Sequence, residues 1–215
     1  MKKRWNALLC VLLILAGCRS YEPASFSEGV ICNPNVGWNG YSIRVPSGVE
    51  RLQPASEENG SGREVEIRQR YREANARYEA DYHTSCFEQF LFENPARSFY
   101  LSFISETYGL ARGWSSLTSV EKQYIIQKMI NRKKVVINDT AAYSEQLEIN
   151  GQRGWYISGS RRPYFRKHAE PAAYEGIFLI GNLKEVFWIE AFGAPAARED
   201  MKNRVFEMAE SLVVK

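Results

Sequence analysis

Histidine is nearly absent, with only His83 and His168 in 215 residues. Neither lies among the three or four ligands that a metal cage needs, and no metal or other cofactor is expected. Cysteine is scarce too, four in all and none in a C-x-x-C spacing, which excludes the common zinc and dithiol redox motifs. No sign of charge dominates. The formal net charge is +3, and Lys2, Lys3 and Arg4 at the start supply part of it. The rest of the chain is nearly neutral and lacks the basic excess of a nucleic-acid binder. No apolar run reaches the roughly 20 residues needed to cross a bilayer. Low-complexity tracts are missing as well, and 45% hydrophobic with 13% aromatic residues is a globular composition.

Lys2, Lys3 and Arg4 are followed by an apolar run from Ala7 to Ala16, the charge-then-apolar order of an export signal. The run ends in Leu15-Ala16-Gly17-Cys18, which resembles the lipobox of bacterial lipoproteins. That resemblance implies cleavage before Cys18 and lipidation of its thiol; the plain alternative is an ordinary secretory signal with a chance cysteine. Two or three acyl chains, at about 0.8 kcal/mol per buried methylene, anchor a protein stably. Arg19 after the cysteine lacks the acidic retention signal of enterobacterial lipoproteins, which implies the outer membrane, facing the periplasm. Residues 1–17 are then the signal peptide, 18–37 the lipidated start and tether, and 38–215 a single domain.

Cys10 leaves with the signal, so the folded part keeps Cys32 and Cys86. An oxidising envelope favours pairing them. A bridge over such a loop is worth about 4 kcal/mol in the chain-entropy description; two buried free thiols are the alternative.

The stretch from Arg19 to about Asn35 is polar and without period, which suits a tether. Tyr41 to Val45 alternates at period two and closes at Pro46, predicting a strand. Ile67, Tyr71, Ala74 and Tyr78 share a helical face within the charged stretch 63–82, where Glu64/Arg68, Glu66/Arg70 and Glu73/Arg77 are favourable i,i+4 pairs. Cys86–Phe92 and Ser98–Thr107 read as the two strands of a hairpin at the sheet's centre. Thr118 and Glu121 have capping-box spacing and open a helix that ends at Arg132-Lys133-Lys134. Val135–Ile137 and Tyr143–Ile149 read as strands, and Asn150-Gly151 joins the latter to a partner running to about Ser158. After a basic loop at 159–172 come strands Tyr174–Ile180 and Glu185–Phe192. Pro195 opens a last helix with Ala197, Met201, Val205, Met208 and Leu212 on one face.

This order predicts an α+β fold, an antiparallel sheet packed by helices. Five segments then resemble the PsbP-like family, an α/β/α sandwich shared by bacterial envelope lipoproteins. They are the G-Y-S-I-R-V-P strand, the S-F-Y-L-S-F-I strand, the N-G-Q-R-G-W-Y-I hairpin, the F-L-I-G-N-L-K-E-V-F-W-I-E-A-F hairpin and a terminal helix ending in E-S-L-V-V-K. The resemblance spans about residues 38–215, with the 63–82 helix as an insertion. It implies a noncatalytic binding or assembly role and supplies no functional residue.

No catalytic residues are assigned. His83 lies three before Cys86, a possible thiol–imidazole pair, but Cys32 competes for that thiol and the neighbours read as strand. Glu88, Glu93, Glu175 and Glu190 include no pair that the sequence places together, so ordinary strand and turn positions are their simplest reading. Arg161, Arg162, Arg166, Lys167 and His168, interleaved with Tyr164 and Phe165, form a basic loop. It suits the phosphates of lipid headgroups, or it is simply solvated. The expected partners are a membrane, through the lipid, and another envelope protein, met through a sheet face or the 63–82 helix. A lipid-tethered hydrolase of wall or lipid, or a small-ligand carrier, is the alternative.

Overall fold

The computed structural model describes residues 24–34, 40–52, 84–96, 98–108, 114–137, 139–161, 172–181 and 185–215. The strands, in chain order, are β1 (Ser25–Ser27), β2 (Val30–Asn33), β3 (Tyr41–Arg44), β4 (Glu50–Arg51), β5 (Thr84–Glu93), β6 (Phe99–Tyr108), β7 (Tyr143–Ile149), β8 (Gln152–Arg161), β9 (Ala172–Ile180), β10 (Glu185–Gly193) and β11 (Val213–Val214). The helices are α1 (Ser119–Val136) and α2 (Arg198–Glu210). The expected 63–82 helix lies outside the described residues.

Among the described residues, seven strands form one sheet in the order β4-β5-β6-β10-β9-β8-β7, and four form another, β1-β2-β3-β11, with every pairing antiparallel. This is the α+β class. The period of two sorts side chains to the two faces of the large sheet. Phe103, Phe187, Ile189, Ile177 and Leu179 face the small sheet and α2, while Ile104, Trp188, Phe178, Trp155 and Ile157 face α1. β9 and β10 are buried almost throughout, so both faces are covered where the strands are most apolar.

Helix α1 starts as its sequence predicts: the Thr118 amide donates to the Glu121 carboxylate at 2.8 Å, and the Glu121 amide donates back to Thr118 Oγ1 at 3.3 Å. In α2, Met201, Val205, Met208 and Ala209 are buried against the sheet. The Asn150-Gly151 turn has both central residues at positive φ, 51° and 76°, the type I′ pattern that matches strand twist.

Five expectations are corrected. The tether assigned to 18–37 already contains β1 and β2, which join the small sheet. Their few apolar side chains, Phe26 and Ile31, pack into the core over runs too short to show a period. The β5–β6 pair is not the sheet's centre, because β10 pairs with β6 on one side and β9 on the other. Val135 and Val136 continue α1, and the Ile137 amide donates to the Lys133 carbonyl at 2.9 Å; an established helix overrides their β preference. Lys133 does not serve the helix end but is buried in an ion pair. The terminal V-V pairs with β3 as β11.

Candidate functional site

Two of the carboxylates singled out in the sequence sit on neighbouring strands yet on opposite faces. Glu175 on β9 lies on the α2 side and Glu190 on β10 on the α1 side, so the sheet itself separates them and they cannot flank one substrate bond. Each is engaged. The Lys133 ammonium pairs with Glu190 Oε1, and the Tyr174 hydroxyl donates to the same oxygen at 3.0 Å. That ammonium also lies 4.3 Å from the Trp188 ring centre, and the Trp188 indole N–H donates to Glu106 at 3.3 Å. Glu106 and Glu190 share a face but stand four residues apart in the ladder, about 13 Å along the strands, with Trp188 between.

On the other face the Tyr156 hydroxyl donates to Glu175, as does Ser158 Oγ at 2.9 Å. Arg198, at the start of α2, brings Nε to 3.5 Å from Glu175 and donates to the Gly159 carbonyl at 2.7 Å. Burial first, and then the bond to Glu175, push the Tyr156 hydroxyl well above the ordinary tyrosine value. This group fastens α2 to β8 and β9. Glu106, Tyr156 and Arg198 carry no local signal, and that of Lys133 points to a helix end; each matters only because of what the fold lays against it.

The flank of β7 is of another kind. Leu147 and Ile149 pack toward the α2-side core, but Tyr143 and Glu145 on the same face are exposed, and the Tyr143 hydroxyl donates to Glu145 at 2.8 Å. That bond is the first cause holding the Tyr143 hydroxyl above its usual value. Beside them the Tyr156 ring is 6.4 Å from Tyr143 and 5.4 Å from Phe206 of α2, with Lys202 5.7 Å above it. The type I′ turn also fixes the backbone. Ile149 and Gln152 flank it as a hydrogen-bonded pair, so residues 143, 145, 147 and 149 bond toward β8. Ser144, Gln146 and Glu148 therefore point their N–H and C=O outward.

No protein-family profile matches the chain, and no curated protein matches it. Among solved structures it is similar to the cyanobacterial PsbP protein of a Synechocystis species, at 11% identity and a TM-score of 0.45, over 93% of this chain and 100% of that one. It is similar also to LpqN of Mycobacterium tuberculosis, described as involved in cell envelope biogenesis, at 8% identity and a TM-score of 0.43 over 86% and 90% of the two chains. A Bacteroides thetaiotaomicron protein matches at 14% identity and a TM-score of 0.41, over 91% of this chain and 49% of its own.

The other sequence-derived positions are dispersed. Cys32 is a free, half-buried thiol on β2 of the small sheet, and Cys86 lies on β5 of the large one. The side chains of Cys86 and Glu88 lie outside those described, and Glu93 closes β5. Arg161 is the last residue of β8, its side chain outside the description, and Cys18, His83, Arg162, Arg166, Lys167 and His168 lie outside the described residues. Among the described residues no group of three His, Cys, Asp or Glu could hold a metal, and no helix is long and apolar enough to cross a membrane.

Proposed function

We propose that the protein is a lipid-anchored module of the bacterial envelope that binds another envelope component and catalyses no reaction. The observation that carries this reading is how soon the fold begins after Cys18. Ser25 opens β1 seven residues after Cys18, a reach of about 25 Å at full extension. A lipid on Cys18 therefore keeps the folded part beside the bilayer, and its free surfaces meet whatever lies there. Arg19 favours the outer membrane and a periplasmic setting. The buried carboxylates act as internal fasteners, and the covered sheet faces direct binding to an edge.

The test is fractionation and crosslinking of the full-length protein in a bacterial envelope, beside Cys18→Ala. The wild type should partition with membranes and crosslink to one stoichiometric envelope component, and the variant should lose both. Membrane association unchanged in Cys18→Ala, or crosslinks only to abundant bystanders, would overturn the reading.

A further inference from the structure

The four sheet edges among the described strands are unequal. β4 has two residues, β1 three and β11 two, while β7 has seven. Proteins blunt their edge strands by shortness, charged side chains, proline or a bulge. β7 is long, has no Pro and pairs with β8 without a register shift, and the only charges it carries are the carboxylates of Glu145 and Glu148. Among the described strands it ends the large sheet, with three outward N–H and C=O pairs at Ser144, Gln146 and Glu148.

Its charge is of one sign. Glu145 and Glu148 are both exposed, one on each face of the strand. Glu148 faces Arg153 across the β7–β8 pair, but Glu145 faces the uncharged Tyr156. The carboxylate with no cation opposite it in the ladder therefore lies on the α2 side, next to the exposed Tyr143 ring and two residues before the half-buried Leu147. A second copy of this chain would add two more carboxylates and no cation to the same ladder, and like charges oppose pairing.

We propose that β7 accepts an extended segment of a partner protein as an eighth, antiparallel strand, and that this segment is basic. The strand places Arg or Lys opposite Glu145 and an apolar residue two positions earlier, opposite Leu147. Backbone bonds to Ser144, Gln146 and Glu148 give affinity, and the Glu145–cation pair gives selectivity. This rests on the binding-module reading above and names the surface and the partner chemistry.

The probe is a capped heptapeptide alternating threonine with valine and arginine, beside a version with glutamate for arginine, both titrated against the full-length protein in detergent micelles. The basic peptide should bind, slow amide exchange in β7, and outbind the acidic one. Gln146→Pro removes only an outward N–H, so the β8 ladder stays whole and binding should weaken about tenfold, the equivalent of one or two net hydrogen bonds. Glu145→Lys should reverse the preference toward the acidic peptide. It keeps the test decisive if the proline variant unfolds. Equal binding of the two peptides, binding unaffected by either variant, or a concentration-dependent homodimer abolished by Gln146→Pro would overturn the proposal. An envelope crosslink that survives Gln146→Pro would overturn the β7 edge alone and leave the binding-module reading intact; loss of every crosslink in the wild type would overturn both.

Discussion

The Asn150 side-chain amide, in the turn between β7 and β8, donates to the Glu210 carbonyl at the end of α2 at 2.7 Å and to the Leu212 carbonyl at 3.4 Å. One residue thus closes a hairpin, by accepting φ of 51°, and satisfies carbonyls that the end of a helix leaves unpaired. Asn150→Gly keeps the backbone conformation and loses only the amide, so it should cost about 0.5–1.5 kcal/mol. Asn150→Ala adds the strain of positive φ, about a further 1 kcal/mol. Urea unfolding of the two variants separates the roles, and equal costs would show that the amide alone matters.

The ion pair under α1 gives the largest effect. Lys133→Met leaves the Glu190 carboxylate buried without its cation, an expected loss of about 3–5 kcal/mol. Adding Glu190→Gln should recover much of that loss, since the charge is then gone and Tyr174 keeps an acceptor. A double-mutant cycle by urea denaturation measures it; additive losses would contradict the coupling seen in the structure.

Tyr156 sets an alkaline limit. Its neutral form is favoured in the fold because burial and the Glu175 carboxylate both oppose the phenolate, which raises its pKa above the unfolded value of 10.0. Its contribution is complete below about pH 10 and is lost as pH rises from there through the folded value. Unfolding midpoints followed from about pH 8 to 11 should fall more steeply for the wild type than for Tyr156→Phe, whose slope should flatten.

Gly193, the last residue of β10, leaves no room for a side chain. A Cβ there would meet the Ser98 carbonyl and the Phe99 Cα, backbone atoms that cannot swing aside. Gly193→Ala should destabilise by about 1–3 kcal/mol, with the midpoint shifted and the denaturant slope unchanged. Wild-type stability in this variant would mean the β6 end yields more easily than its pairing suggests.

Much of the fold was legible in local pattern. The Thr118/Glu121 box, the Asn150-Gly151 turn and the face of α2 each depend on residues within a few positions of one another; the first two formed as read, and the third did at Met201, Val205 and Met208, with Ala197 and Leu212 just outside the helix. The β7 strand was legible in the same way, but its position at a sheet edge was not. Strand order depends on pairings such as β6 with β10, in which Glu106 meets Val186 across 80 residues. Nothing in the neighbourhood of either residue records that.

What the sequence alone determined is therefore the set of elements with a period or a cap. Only the tertiary structure decided that Lys133 is a buried counter-ion and not a helix-end cation, and that Glu175 and Glu190 are kept apart by the sheet they belong to. It alone joined Ser25–Asn33 to the core and left β7 as the one long edge among the described strands. The reason is that periodicity and capping act over one or two turns of chain, whereas burial, charge pairing and strand order depend on which distant segments come to lie together.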